Sequence, residues 1–299
     1  MAGALRPGKS AAKAVRRAIC AESKTALEHL TRAWPPADKE IHEARKRIKR
    51  ARAELRLLRD VLGESVYQRE NAALREAAKP LSEVRDAKIL GGALEELARK
   101  HPRLDRKSID RLRFELRARR LRARRRALSH RDTLEPTLEA LRVTSRCVPK
   151  PGRPRGWSAL RSGLRRVYRS GREAAEAAEE RATDESLHET RKQAKYLWHE
   201  LEILEPIEPA RLAKLARLAH RFSDRLGEDH DLAILRQTVL SSRSLSRASI
   251  RSLVTAIDRM RTRHQRQARR LGRRLYRERP RAFEKRLGGY WKDWQRRSA

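Results

Sequence analysis

Residues 41–62, IHEARKRIKRARAELRLLRDVL, repeat their apolar side chains with the period of an α-helix. The apolar positions share one face: Ile41, Ala44, Ile48, Ala51, Leu55, Leu58 and Leu62. The neighbouring face carries a set of cations that we call the first basic row: His42, Arg45, Lys46, Lys49 and Arg56. Glu43 and Glu54 lie on a third face with Arg47. Because like charges one helical turn apart repel, a purely cationic row indicates a surface that holds an anion.

The same pattern occurs a second time in residues 187–204, LHETRKQAKYLWHELEIL. Its cations form the second basic row, 146 residues after their counterparts in the first: His188, Arg191, Lys192 and Lys195. A second landmark is repeated as well, since LSEVRDAKIL at 81–90 is echoed by LGEDHDLAIL at 226–235. Two landmarks in the same order at nearly the same separation predict an internal duplication.

The charge of the chain is strongly unbalanced. Its 299 residues include 75 Lys and Arg against 39 Asp and Glu, a formal net charge of +36, and only 4% aromatic residues. Self-repulsion on this scale destabilises a compact state, so the composition predicts a polyanionic partner. Most of the cations are arginines, whose planar guanidinium suits bidentate contacts with phosphate. A surface that is merely solubilising mixes both signs with a much smaller imbalance.

Cysteine usage and hydropathy bear on the compartment. Cys20 and Cys147 fit neither a disulfide framework nor a cysteine-rich metal site, so we expect both to be reduced in a cytoplasmic protein. No apolar run reaches the length of a membrane span. The basic, acid-poor N-terminus is open to two interpretations, a transit peptide or the lead-in to the first helix.

Almost the whole chain has helical periodicity, and no segment alternates convincingly with period two. Helices are predicted at about 10–33, 41–62, 65–99, 105–141, 157–181, 187–204, 208–240 and 246–277, followed by an aromatic tail that packs on the second half. Pro80 is expected to kink or divide the third helix, and Gly227 is a candidate break in the seventh.

The Pro- and Gly-rich residues 142–156 are predicted to be a linker between a first half at 1–145 and a second half at 152–299. The predicted fold is all-α, with one four-helix bundle of antiparallel helices in each half. The duplication predicts that a pseudo-twofold axis relates the two bundles. The two basic rows are then expected to face one another across a shared cleft.

The pattern H-x-x-R-K-x-x-K, which begins at His42 and again at His188, resembles that of the CHAD family, the conserved histidine α-helical domain. The segments GLRRVY at 163–168 and LGEDHDL at 226–232 are also similar to that family, and the resemblance spans about residues 10–297. It implies two four-helix bundles whose basic central surface binds inorganic polyphosphate, in proteins linked to polyphosphate granules. Some members are fused to a CYTH triphosphate-hydrolysing domain, for which this chain has no room.

Carried over position by position, the resemblance implies ligand-facing roles for the motif residues: His42, Arg45, Lys46, Lys49, His188, Arg191, Lys192 and Lys195. Helical periodicity adds Arg56, whose counterpart in the second half is Glu202, so an asymmetric site is expected. For five more cations two interpretations stay open, lining the cleft or facing solvent: Arg85, Lys88, Arg165, Arg169 and Arg172. The arginine-rich run at 111–126 is expected to form an outer basic surface.

Inorganic polyphosphate suits these residues because it carries a charge on every phosphate and has no bases to stack. The scarcity of aromatic residues argues against a groove for single-stranded nucleic acid. Weak binding to duplex nucleic acid, as in a nucleoid protein, stays an alternative because it needs only charge. A second alternative is an accessory module of a phosphohydrolase.

Catalysis has little support in the sequence. Neither a phosphate-cradling Gly-rich loop of the P-loop type nor a G-x-S-x-G elbow is present, so we expect no enzyme activity and no cofactor. His230 stands between Asp229 and Asp231, but the surrounding Arg and Lys would repel a divalent cation, and no metal site is expected. Asp86 and Asp231 are expected to pair with arginines rather than to act as acids or bases. No feature of the sequence favours one oligomeric state.

Overall fold

The computed structural model describes residues 4–146 and 156–297, and all regular secondary structure in these ranges is helical. The predicted all-α class is therefore confirmed. The α-helices in these ranges are α1 (Ala11–Thr31), α2 (Asp38–Leu57), α3 (Arg59–Leu62), α4 (Glu64–Lys100), α5 (Arg106–Leu128), α6 (Glu135–Arg146), α7 (Arg161–Glu180), α8 (Asp184–Leu204), α9 (Pro209–Leu240), α10 (Arg247–Leu275) and α11 (Pro280–Arg296). Cys147 and the rest of 147–155 lie outside the described residues, so the division at the linker stays a prediction.

Two long helices are continuous where the sequence suggested interruptions. Helix α4 passes through Pro80 and Gly91 without a break, and α9 passes through Gly227. A proline removes one backbone hydrogen bond and an internal glycine costs about 1 kcal/mol. The fully buried Leu81 directly follows Pro80 in α4, and the fully buried Leu94 lies three residues after Gly91. Their burial, at about 2 kcal/mol for each leucine, offsets the local cost.

The prediction of one helix over 105–141 is wrong. Helix α5 ends at Leu128 and α6 begins at Glu135, with a single 3₁₀ turn at 131–133 between them. Pro136 occupies the second position of α6, where a proline is tolerated because its missing N–H would have no partner in the helix. The same proline inside a continuous helix would clash with the preceding turn.

The apolar interior consists of two cores. The first core gathers α1, α2, α6, α7, α8 and α11, with the first part of α4 and α9 and the last part of α10. The second core is smaller and lies between the end of α4, the start of α5, the end of α9 and the start of α10. Each core therefore contains helices from both sides of residues 147–155, and α4, α9 and α10 pass from one core to the other.

Helices α2 and α8, which carry the two basic rows, pack against each other through reciprocal contacts. Arg50 Nη2 donates to Glu202 Oε2 over 3.2 Å, and the Arg56 guanidinium lies 3.8 Å from the centre of the Tyr196 ring. Tyr196 is the counterpart of Arg50, and Glu202 is the counterpart of Arg56, each 146 residues later. A contact of i with j′ combined with a contact of j with i′ is the pattern that a twofold interface produces.

The start of each of these two helices is also held in the same way. Asp38 Oδ1 of α2 lies 2.7 Å from Arg124 Nη1 of α5, and Asp184 Oδ1 of α8 lies 2.5 Å from Arg261 Nη2 of α10. Asp38 and Asp184 are 146 residues apart. Thr183 accepts a hydrogen bond from the backbone N–H of Ser186 and so caps α8. The duplicated sequence thus places its two key helices in matching surroundings.

The aromatic tail packs as the sequence predicted. In α11 Phe283, Leu287 and Trp291 are buried, and the Phe283 ring stacks on Tyr168 of α7 at 3.9 Å. Within residues 4–146 and 156–297, no helix combines the length and the apolar character that crossing a membrane requires.

Candidate functional site

A large open cavity of about 1300 Å³ lies where the two apolar cores meet. Its walls are the start of α2, the middle and end of α4, the middle of α9 and the middle of α10. Ile41 and Val84 form its floor on the side of the first core, and Leu232 and Met260 on the side of the second. Helices from both sides of residues 147–155 therefore build one site.

The side chains around this cavity are predominantly cationic. Among the described residues, the lining cations are Lys39, Lys88, Lys100, Arg225, Arg259, Arg263, Arg266 and Arg270, joined by His42, His101 and His264. The acids in the same lining are Asp38, Glu96, Glu228 and Asp231. Three of these acids already have cationic partners: Asp38 pairs with Arg124, Glu96 with Arg99 at 2.6 Å, and Glu228 with Arg225 at 2.7 Å. The field that a ligand would meet is therefore positive.

Helix α10 supplies the densest part of this positive wall. Arg259, Arg263, Arg266 and Arg270 are spaced by three or four residues, which places them on one face of the helix. All four side chains are exposed and line the cavity. The α10 face is thus a third basic row, which we call the α10 row, and it lies across the cavity from His42 and Lys88.

The structure places the predicted site residues in three kinds of position. His42 and Lys88 line the cavity. Apart from Arg56, the remaining members of the two basic rows lie on α2 and α8, where these helices approach α4 and α9. Arg56, Arg165, Arg169 and Arg172 lie at other helix contacts or on the α7 surface. The side chain of Arg85 lies outside the described residues, so its role stays a prediction.

Matching members of the two basic rows have matching environments. Arg45 and Arg191 are each 8% exposed, whereas the side chains of Lys46 and Lys192 are 41% and 42% exposed. Lys46 pairs with Glu43 at 3.7 Å, and Lys192 pairs with Glu189. Each row therefore consists of a buried arginine flanked by accessible lysines and histidine.

The buried arginines join the two repeated landmarks of the sequence. Arg45 Nη1 donates to Ser82 Oγ and, over 3.3 Å, to the carbonyl of Ala78 in α4. Arg191 lies over Gly227 of α9, where an added Cβ would come within 3.3 Å of its Nη2. Ser82 and Gly227 occupy the same position in the repeated segments at 81–90 and 226–235. Arg45 and Arg191 thus position the two basic rows against α4 and α9.

The two rows meet near His188. The pKa of His188 is lowered because neighbouring atoms partly desolvate its ring, and because Arg191, Lys192 and Lys49 disfavour the protonated form. Lys49 belongs to the first row and the other two belong to the second. The His188 ring also lies 4.8 Å from that of His230, which precedes the cavity residue Asp231. A phosphate group bound here would favour the protonated ring.

Four predicted cations are engaged in helix packing or on the α7 surface. Arg56 stacks on Tyr196 and donates over 3.1 Å to Asn71 Oδ1. On α7, Arg165 Nη1 lies 3.2 Å from Glu284 of α11, and Arg172 donates to Glu176 and to the backbone carbonyl of Glu278. Arg169 is exposed on the same helix. These contacts give Arg56, Arg165 and Arg172 structural partners, while a ligand role for all four arginines stays a prediction.

The sequence predicted a helix at 246–277 but did not place the arginines of the α10 row at the site. Their spacing of three or four residues was visible, and arginines stand at the same spacing 146 residues earlier in α5, at Arg113, Arg117, Arg120 and Arg124. Only the packing of α10 beside α9 and α4 reveals where the α10 row points. A second feature was missed entirely. Glu54 of α2 and Glu200 of α8, again 146 residues apart, are almost fully buried, and burial raises the pKa of both carboxyls.

Comparison with known proteins agrees with this arrangement. A family model described as the CHAD domain matches residues 18–240. Among solved structures, PptA from Streptomyces chartreusis is similar with a TM-score of 0.63 and 14% identity, over 90% of this chain and 100% of that chain. The CHAD domain from the plant Ricinus communis is similar with a TM-score of 0.60 and 18% identity, over 91% of this chain and 94% of that chain.

At such low identities the two structures show the fold alone. None of the curated proteins compared with the sequence matches it. The family model covers well over half of the chain, including both basic rows and the repeated segments of α4 and α9. The resemblance inferred from the repeated motif is thereby confirmed, and the chain belongs to the CHAD domain family.

Proposed function

We propose that the protein binds inorganic polyphosphate, without catalysis, in the cavity between α2, α4, α9 and α10. The observation that carries this proposal is the convergence of exposed cations from four helices on one open cavity. Membership of the CHAD family supports polyphosphate as the ligand. We extend the proposal to association with polyphosphate granules in the cytoplasm, because a net charge of +36 favours attachment to a large polyanion.

A linear phosphate chain fits the spacing of the site. The α10 row offers a guanidinium at each helical turn, about 5.4 Å along the axis, and each can donate charge-assisted hydrogen bonds to phosphate oxygens. His42 and Lys88 supply donors from the opposite wall. Two aromatic rings of α8 lie next to the second basic row in sequence: Tyr196 already packs against Arg56, and Trp198 already stacks on His199 and lies edge-on to His220. This environment favours a charged ligand that has no bases over single-stranded nucleic acid, whose bases need free aromatic rings for stacking.

We also propose that the two halves are duplicated four-helix units related by a pseudo-twofold axis between α2 and α8. The reciprocal contacts of Arg50 and Arg56 with residues of α8 support this relation. So do the equal exposure of Arg45 and Arg191 and the shared pairing of Asp38 and Asp184 with arginines. The axis brings the two basic rows together at one end of the α2–α8 contact, which explains why Lys49 acts on His188.

A binding role is favoured over hydrolysis by the state of the acids in the cavity. Asp38, Glu96 and Glu228 are held by arginines, and Glu228 also lies 2.9 Å from His264. A Mg²⁺ ion would have to break these pairs amid surrounding cations. Incubation of the protein with polyphosphate and Mg²⁺ should therefore release no orthophosphate above background, and sustained turnover would overturn the non-catalytic proposal.

The choice of polyphosphate over duplex nucleic acid is tested by competition. Labelled polyphosphate bound to the protein is displaced with unlabelled polyphosphate or with duplex DNA of equal total charge, over a series of salt concentrations. We expect polyphosphate to displace the label at much lower concentration at every salt concentration. Displacement by DNA at equal charge concentration would show that charge alone selects the ligand, and the exposed arginines of α5 would then be the favoured nucleic-acid surface.

We predict that polyphosphate binding takes up protons at His188. In the free protein its pKa lies below the ordinary value because of desolvation and the cations Arg191, Lys192 and Lys49, so the ring is neutral near pH 7. A bound anion raises the pKa, and affinity should therefore increase as the pH falls from about 8 to about 6. In His188→Gln this increase in affinity should be clearly smaller. Titration with polyphosphate at constant ionic strength and different pH values measures it.

The matched control is His130→Gln, which changes an exposed histidine that follows α5. It should keep the pH dependence of the parent protein. The same slope of affinity against pH in His188→Gln and the parent would show that His188 does not exchange protons with the bound state.

A further inference from the structure

A second basic groove lies farther along α9 and α10, beyond the cavity. It has a volume of about 540 Å³ and is bordered by the first part of α9, the end of α10 and α11. Its cations include Lys214, Arg217, Arg221, Arg274, Arg277 and Arg286. The acid in its lining, Glu278, is held by Arg286 at 2.7 Å. This groove is therefore strongly positive, and none of the predicted site residues whose side chains the structure describes belongs to it.

The groove and the cavity are joined by one face of α10. The α10 row ends at Arg270, and Arg274, which lines the groove, continues it four residues later. Arg277, which also lines the groove, follows the end of α10. From Arg259 to Arg274 the basic face extends about 22 Å along the helix axis. No acidic residue occupies a position of this face between Arg270 and Arg277.

Helix α9 forms the other side of the same path. It runs beside α10 throughout, and Arg225 lines the cavity while Arg221, Arg217 and Lys214 line the groove. These positions are also spaced by three or four residues, so they share a broad face of α9. Cations therefore border the path on both helices from the cavity to the groove.

We propose that α9 and α10 form a continuous basic track, along which a polyphosphate chain too long for the cavity extends into the second groove. This inference rests on the proposed function, because the cavity is taken as the first binding site. The ligand class that the groove would hold is a linear polyphosphate segment. The track would add contacts in proportion to chain length, so that the protein prefers long chains to short ones.

The contacts of Tyr290 favour phosphate over a nucleic acid in the groove. Its hydroxyl oxygen accepts hydrogen bonds from Arg211 at 3.2 Å and from Arg286 at 3.3 Å. Both guanidinium groups also lie within 6 Å of its ring. The ring and hydroxyl of Tyr290 are thus already in contact with two arginines, so the ring is not free to stack on a base. Arg217, Arg274 and Arg277, in contrast, are exposed to solvent.

The test compares two ligands and two triple variants. The track variant is Arg217→Gln/Arg274→Gln/Arg277→Gln, and the control is Arg117→Gln/Arg122→Gln/Arg125→Gln on the outer face of α5. All six arginines are exposed, and both variants lose the same charge. The ligands are tripolyphosphate, which fits within the cavity, and a long-chain polyphosphate fraction that can span both sites.

For the track variant we expect affinity for the long-chain fraction to fall about tenfold relative to the control, with affinity for tripolyphosphate unchanged. Its slope of log affinity against log salt should also decrease by about 2 with the long chain only. Equal losses for both ligands, or a loss no greater than in the control, would overturn the track. If the parent protein bound neither ligand, the proposed function itself would fail, which is a separate outcome.

Discussion

Replacement of Arg259, Arg263 and Arg266 by glutamine is expected to weaken polyphosphate binding by about 100-fold. The three guanidinium groups lie on one face of α10, are exposed, and line the cavity between the two apolar cores. Each is expected to lose a charge-assisted contact with a phosphate oxygen that contributes about 1 kcal/mol. The loss is measured by titration with tripolyphosphate at fixed ionic strength.

The control for this variant is again Arg117→Gln/Arg122→Gln/Arg125→Gln on α5. It removes the same charge from an equally exposed helix, so it reports the effect of net charge alone. We expect it to change the affinity for tripolyphosphate less than threefold, because screening limits the action of distant charges at physiological salt. A control that lost as much affinity as the α10 variant would move the binding site to the outer surface.

The substitution Gly163→Ala is expected to destabilise the protein by about 3 kcal/mol or to prevent folding. Gly163 lies near the start of α7, which crosses the end of α2 at very short range. A Cβ at this position would lie 2.9 Å from the carbonyl oxygen of Arg56 and still closer to that of Leu57. Because both obstacles belong to the backbone, the two helices would have to move apart. Chemical denaturation of the purified variant measures the loss.

A glycine in open space provides the control for Gly163. Gly289 lies inside α11, and no atom would lie within 4 Å of an added Cβ. Gly289→Ala should increase the free energy of unfolding by up to about 1 kcal/mol, because alanine has the higher helix propensity. If Gly163→Ala were as stable as the parent protein, the close approach of α7 to α2 would not exist as described.

The helices were predictable from sequence because their periodicity is local. The apolar positions of α2 and α8 repeat every three or four residues, and the spacing of His42, Arg45, Lys46 and Lys49 determines which of them share a face. The repeat at a separation of 146 residues then identified the family. Even so, the end of α5 was missed, because Pro136 was not taken as a helix start.

The composition of the site could be predicted only in part, because it depends on which helices are neighbours. Helical periodicity places His42 on a basic face, but it cannot show that this face looks across a cavity at α10. It also cannot distinguish Arg45, which is buried against Ser82, from Lys46, which remains accessible one position later. Arg56 shows the same limit, since its guanidinium belongs to the predicted row yet stacks on Tyr196.

The burial of two acidic side chains was the least predictable feature. Glu54 and Glu200 lie on helices rich in cations, where a solvent-exposed acid would be expected. Their burial beside the α2–α8 contact depends on tertiary packing, and the resulting rise in the pKa of each carboxyl follows from desolvation. Glu54 and Glu200 are also 146 residues apart, so the proposed duplication would include side chains that take no part in the cavity.

The location of bound phosphate in a crystal of the full chain grown with tripolyphosphate tests the proposed site most directly. We expect phosphate groups within hydrogen-bond distance of Arg263 and Arg266 on one wall and of Lys88 on the other, with the floor formed by Val84 and Leu232. Phosphate found instead along the exposed arginines of α5, with the cavity between α2, α4, α9 and α10 empty, would contradict the proposed function.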